Sequence, residues 1–306
     1  MRTNIVVGSR GSKLALIQAE LVASKIREAN PHLEVGISKV ITKGDRDRRT
    51  RLDWMTEVGI FVKELEEALL DGRIDVAVHS LKDVPTELPR GLCLLAVTER
   101  IDPRDIMVSK SKLDDLSSGS RIGTGSLRRT VQLAQYRSDL EVCSIRGNVD
   151  TRLGKVSSGE VDGVILAAAA MLRLGWENRI TEYLPVAYFL PAVGQAALTI
   201  EARLDDKELV ELVSPINHLS TWQSIAAERA FLSALGGGCR APIGALGSVN
   251  GNTLQLEGMV ADASGKKVIR IFEVGNAVAA EQVGMQLAQK MLAMGAAELL
   301  ADMRAG

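Results

Sequence analysis

Aromatic side chains make up only 3% of this 306-residue sequence, and cysteine and histidine number three each. Few stacking rings and a formal net charge of -1 exclude the basic, ring-lined surface of a nucleic-acid binder. Cys93, Cys143 and Cys239 lie far apart and form no C-x-x-C pair. That argues against a disulfide framework and a structural metal site, and makes a reducing compartment the expectation. No apolar run approaches the length of a membrane span, and Met1 to Gly8 holds too few apolar residues for a secretory signal, so a cytoplasmic protein with no membrane partner is expected. Gly123-Thr124-Gly125-Ser126 lacks the Gly-Lys-Ser/Thr that completes a nucleotide phosphate loop.

What is present reads as α/β. The β-branched run Asn4 to Val7 leads through Gly8-Ser9-Arg10-Gly11-Ser12 into Leu14, Ile17, Leu21, Val22 and Ile26, which recur with helical period. A strand at Val35 to Ile41 and a helix restarting at Phe61 follow, separated by the charged, aperiodic Lys43 to Glu57 segment, a length of loop often used as a lid. Asp75 to His79 reads as a buried strand. It delivers Ser80-Leu81-Lys82-Asp83-Val84-Pro85 to its carboxyl end, where open α/β sheets place ligand sites. A second unit starts near Asp102, with strands at Arg121 and Glu141 and a helix at Leu127 to Tyr136. Leu190 to Gln195 reads as a crossover. A helix from Thr221 to Leu235, three strand-like runs between Ile243 and Val274 and a last helix at Ala279 to Met294 form an α+β tail expected to be a separate domain.

Two features suggest chemistry. Cys239 follows three glycines in Leu235-Gly236-Gly237-Gly238-Cys239-Arg240, which leaves room beside the sulfur, and Arg240 favours a thiolate. A small buried thiol in a tight turn, a metal ligand and a site of covalent chemistry are the competing readings. Arg10, Arg128, Arg129, Arg146 and Arg152 gather in turns beside glycine and serine. Arg128 and Arg129 fall in the first turn of a helix, where cations oppose the macrodipole, so an anion is expected there. Planar guanidinium forks suit carboxylates. His79 and His218 read as hydrogen-bonded core residues.

These segments, taken in order, resemble the porphobilinogen deaminase family over nearly the whole chain: Ser9 to Leu16, Phe61 to Glu66, Ala77 to Pro85, Gly123 to Arg129, Ile145 to Val149, Leu190 to Gln195 and Gly237-Gly238-Cys239. The resemblance implies two type II periplasmic-binding-protein-like domains, residues 1–98 with 196–216 and residues 102–191, plus a small α+β C-terminal domain, 218–306. It implies an enzyme that couples porphobilinogen units with release of ammonia and then frees a linear tetrapyrrole by hydrolysis. A dipyrromethane cofactor on a thioether to Cys239 is part of that implication, as is a monomeric state.

By the same resemblance Asp83 is the catalytic carboxylate, with Lys82, Arg10 and Arg146 beside the reaction. Cys239, Lys82, Asp83, Thr124, Ser126, Arg128, Arg129, Arg146 and Gly147 are the implied cofactor contacts. Arg10, Ser12, Phe61, Arg146, Arg152, Arg173 and Gln195 are the implied substrate contacts. Two positions depart from the bacterial pattern: Val58 stands where a lysine is common, with Arg48, Arg49 or Arg51 as replacements, and Ala196 stands where a glycine is common, a change expected to touch only backbone packing. A non-catalytic binding protein for a carboxylated solute is the alternative, disfavoured by the Gly-Gly-Cys loop.

Overall fold

A computed structural model describes residues 2–40, 62–236, 238 and 241–301. The chain divides into two compact units, Met1–Ile101 with Ala197–Trp222, and Asp102–Ala196 with Gln223–Gly306. The C-terminal sheet therefore groups with the second unit.

In the first unit, β1 (Asn4–Arg10), β2 (Glu34–Val40), β3 (Val76–Ser80), β4 (Leu92–Val97) and the late-returning β10 (Leu198–Arg203) form one sheet in the order β2-β1-β3-β10-β4. β1 is parallel to β2 and β3, whereas β10 runs antiparallel to β3 and β4. Residues 76–79 of β3 are all buried, as a central strand covered on both faces requires. Helix α1 (Lys13–Ala29) covers one face: Ala19, Val22, Ala23 and Ile26 recur on one stripe and pack with Ile5, Val7, Val76 and Ile200. Helix α2 (Lys63–Leu70) covers the other, where Leu65, Ala68 and Leu69 meet Ile74 and Ala77.

The second unit repeats this plan. Strands β5 (Asp105–Ser109), β6 (Arg121–Thr124), β7 (Glu141–Ser144), β8 (Gly163–Ala167) and β9 (Glu182–Tyr183) pair in the order β7-β6-β8-β5-β9, with β6 parallel to β7 and β8 and with β5 antiparallel to β8. In both sheets the first parallel strand is flanked by the second and third, and an antiparallel strand follows, β10 from late in the chain in one and β5 from just before β6 in the other. The two units thus share one strand order. Helices α3 (Leu127–Tyr136), α4 (Val149–Ser157) and α5 (Ala168–Arg173) follow β6, β7 and β8. The remaining sheet is antiparallel, β11 (Ile243–Asn250), β12 (Thr253–Ala261) and β13 (Val268–Asn276). Phe231 on α6 (Leu219–Ala234) and Leu287 and Met291 on α7 (Ala280–Ala293) share its core with Leu254, Leu256 and Val260. No described helix is long and apolar enough to cross a membrane.

Ala196 corrects one expectation. It has φ 75, and among the described residues it is the one non-glycine with positive φ. A Cβ in the left-handed region costs roughly 1–2 kcal/mol, so the alanine strains the backbone where the chain leaves the second unit. Ala196→Gly is therefore expected to raise stability by roughly 0.5–1 kcal/mol after the greater chain entropy of glycine is subtracted. Urea unfolding checks it; a loss of stability would mean that the methyl packing outweighs the strain.

Candidate functional site

In the first unit, β1 ends at Arg10 and Ser12 caps α1, its Oγ accepting from Ala15 N at 3.2 Å. β3 runs into the short 3-10 helix Leu81–Asp83. Because β1 and β3 are parallel, both turns emerge at one edge of the sheet. Arg10, Ser12, Gln18, His79, Ser80 and Asp83 line a single pocket there. Gln18 Nε2 donates to Ser80 Oγ at 3.0 Å, which ties the pocket wall to α1. Asp83 is exposed and its carboxylate makes no hydrogen bond among the described residues; Lys82 beside it is half-buried.

His79 is held from behind. Its Nε2 lies 2.9 Å from Glu201 Oε2 on β10, and the two side chains are 4% and 0% exposed, as a core histidine should be. His218 is hydrogen-bonded as expected, its Nδ1 2.8 Å from Thr221 Oγ1, but it is exposed and not in the core, a correction to the sequence reading. Glu66 on α2 completes a buried acidic group in this region: burial pushes its carboxyl up to about 7, the Glu201 charge adds to the rise, and His79 opposes it.

The sign of the Glu66 effect follows. Its folded pKa lies above the ordinary 4.5, so its contribution to stability is fully present below about 4.5 and is lost as pH rises through about 7. Glu66→Gln is expected to be more stable than wild type at pH ~8 by about 2–3 kcal/mol and equal to it near pH ~4. Denaturant midpoints at the two pH values test this, and a gap that does not widen with pH would contradict it.

In the second unit the arginine turns have a different arrangement from the one expected. Arg128 and Arg129 are buried, 3% and 6% exposed, in the first turn of α3. Arg128 Nη1 donates to Asp105 Oδ2 at 2.8 Å and to Leu190 O at 2.6 Å, and Arg129 Nη2 donates to Asp105 Oδ1 at 2.7 Å. One anion beside the helix start is thus a carboxylate of the protein itself, Asp105. Burial alone would push the Asp105 carboxyl up, but the two guanidinium groups hold it well below the usual carboxylate range. Gln195 is 1% exposed, and its Nε2 donates to Asp105 Oδ1 at 2.8 Å and Pro103 O at 2.7 Å, so it braces the ion cluster.

The other expected residues lie in the turns after β6 and β7. Thr124 is buried, its Oγ1 accepting from Ser126 N at 3.2 Å. Arg146 and Gly147 are exposed, and Gly147 has φ 104, where a side chain would be strained. Arg152 Nε donates to Gly147 O at 2.8 Å. Arg173 Nη2 donates to Ala196 O at 2.7 Å; with no carboxylate beside it among the described residues, burial pushes its guanidinium down to about 10. Phe61 and Cys239, with Arg48, Arg49, Arg51, Val58 and the Lys43 to Glu57 segment, lie outside the described residues. Asp105, Glu201 and Glu66 were not singled out by the sequence. The available signal was an ionisable side chain at the start or middle of an otherwise apolar run.

The family model described as "Porphobilinogen deaminase, dipyromethane cofactor binding domain" matches residues 5–211, and "Porphobilinogen deaminase, C-terminal domain" matches residues 222–293. The chain belongs to the porphobilinogen deaminase family. A porphobilinogen deaminase of Desulforudis audaxviator is 47% identical over 308 residues, covering 100% of both chains. One of Pelotomaculum thermopropionicum is 46% identical, covering 98% of this chain and 97% of that one. Among solved structures, the methionine-binding protein MetQ is similar at 16% identity with a TM-score of 0.43, over 72% of this chain and 90% of that one.

The residues present in the second unit fit the polycarboxylate that a porphobilinogen deaminase carries. Arg128 and Arg129 share one carboxylate, leaving an excess cation, and the Nε of each is buried without a hydrogen-bond partner among the described residues. Arg173 adds a partly buried charge without a carboxylate. Unpaired cationic donors of this kind favour an anionic ligand.

Proposed function

We propose that this chain couples porphobilinogen units, with loss of one ammonia per unit, and finally releases hydroxymethylbilane by hydrolysis, with Asp83 at the reacting centre. The observation that carries the assignment to Asp83 is its place in the first-unit pocket: it is exposed, its carboxylate makes no hydrogen bond among the described residues, and it lines the pocket together with Arg10 and Ser12. A carboxylate that serves no bond of the fold is available to a ligand.

Dipyrromethane, when bound, supplies a permanent pyrrole acceptor at Cys239. Arg128 and Arg129, through the donors that Asp105 leaves, together with Thr124, Ser126, Arg146 and Gly147, hold its carboxylate arms. Arg152 and Arg173 take the arms of added units; Arg10, Ser12 and Phe61 orient the incoming porphobilinogen. The Asp83 carboxylate accepts from the pyrrole N-H of the substrate and stabilises the positive charge that develops on the ring as the carbon–nitrogen bond breaks. Lys82 keeps that carboxylate ionised or binds an arm. The three sheets are read as three domains, 1–98 with 196–216, 102–191 and 218–306, in a monomeric cytoplasmic protein.

The test is intact-mass analysis of protein made with porphobilinogen available, joined to an ammonia assay. The expected result is a mass increase equal to two pyrrole units that is absent from Cys239→Ser, and one ammonia per porphobilinogen consumed. Unmodified protein that releases no ammonia would overturn the reading.

A further inference from the structure

The buried group behind the Asp83 pocket has no part in the chemistry described so far. His79 lines the pocket with Asp83, and Glu201 grips its Nε2. Glu201 Oε1 is buried with no hydrogen-bond partner among the described residues. A buried carboxylate is stabilised by a cationic neighbour or by a proton. The ionisable groups acting on this cluster are Glu66, Glu67 and Lys63 from α2 and Cys93 from β4, while Arg10 and Asp83 share its pocket and Gln18 of α1 is neutral. Two acids and one imidazole are thus buried together, and an imidazole is a side chain able to take up and return a proton. Burial raises the Glu66 carboxyl to about 7, in keeping with a proton retained near neutrality.

The coupling reaction moves protons. The bond from the methylene carbon to nitrogen breaks with its electron pair on nitrogen, and the amine takes one proton to leave as ammonia. A carbon–carbon bond then forms to the acceptor pyrrole, whose α-carbon gives up one proton. One proton is consumed and one is released for each unit added.

We propose that His79, fixed by Glu201, is the proton relay of the Asp83 pocket: it supplies the proton that leaves with ammonia and recovers the one released from the acceptor pyrrole. The imidazole is unchanged after each cycle, and its ring nitrogen not held by Glu201 is the exchanging atom. The relay rests on the deaminase reading and on the pocket geometry.

His79→Gln keeps a donor for Glu201 but cannot accept and return a proton. Holoprotein of this variant, its cofactor content verified by intact mass, is expected to release ammonia at least about 10-fold more slowly in a single turnover. Half-saturation by porphobilinogen is expected to be unchanged. The ionisation seen in the wild-type single-turnover pH profile should be absent from the profile of the variant. His79→Gly opens space against the pocket, and added imidazole should restore its ammonia release in proportion to concentration. Wild-type rate and profile in His79→Gln overturn the relay, as does a folded His79→Gly that imidazole accelerates no more than His79→Gln. Where His79→Gly does not fold, the profile of His79→Gln decides. Wild-type holoprotein that releases no ammonia is a separate outcome: it overturns the deaminase reading, and the relay with it.

Discussion

Asp83→Asn is expected to slow ammonia release from porphobilinogen by about 10²–10³-fold, the usual cost of removing one electrostatic stabiliser of developing charge. The fold should not notice. Asp83 is exposed and its carboxylate bonds nothing among the described residues, so the change in stability is expected to stay within about 0.5 kcal/mol. Asparagine keeps the size and one acceptor oxygen of aspartate, removes the charge and turns the other oxygen into an N-H donor. The decisive comparison is single-turnover ammonia release against the thermal midpoint. A variant with wild-type turnover would remove Asp83 from the chemistry, and one that has lost its midpoint as well would show that the carboxylate holds the turn. Asp83→Glu is the intermediate case: charge retained, reach altered, and a smaller loss expected.

The elements around the first-unit pocket were legible in the sequence because they are local. The strand ending at Arg10, the cap at Ser12 and the strand that delivers Asp83 each follow from periodicity and turn chemistry within about a dozen residues. Helix α3 at Leu127–Tyr136 likewise agrees with the expected range. The arginine turns were placed correctly but their partner was not. Asp105 lies 23 and 24 residues from Arg128 and Arg129, on a strand that periodicity alone does not mark, and only the pairing of β5 with β8 brings it behind the helix. β10 was missed for a related reason. Leu198–Arg203 carries a charged residue at a fully buried position, Glu201, which looks wrong for a central strand until His79, 122 residues earlier, is known to face it. Where local pattern and long-range neutralisation disagree, the sequence shows the violation but not the partner. Ala196 is a third case, since a positive φ at alanine has no signature in composition.

The largest effect on the second unit should come from Asp105→Asn. Asparagine fits the same space, but Arg128 and Arg129 then face each other across a neutral amide with both charges buried. Breaking a buried ion pair by removing one partner costs about 3–5 kcal/mol, and here one carboxylate serves two cations and also receives Gln195. The pH dependence has a definite sign. Because the arginines hold the Asp105 carboxyl below its ordinary range, its stabilisation is present above the unfolded value near ~3.9 and is lost as pH falls toward the lower folded value. The gap between wild type and variant in urea unfolding should therefore be full at neutral pH and narrow only below about pH 4. Cofactor content adds a second readout, since the guanidinium groups that Asp105 aligns are the ones proposed to hold the cofactor arms. Arg128→Ala provides the contrast: Asp105 keeps Arg129, the cluster becomes neutral, and the loss of cofactor should exceed the loss of stability. Wild-type stability together with full cofactor content in Asp105→Asn would mean that the two arginines are aligned by the backbone carbonyls of Leu190 and Ile165 alone.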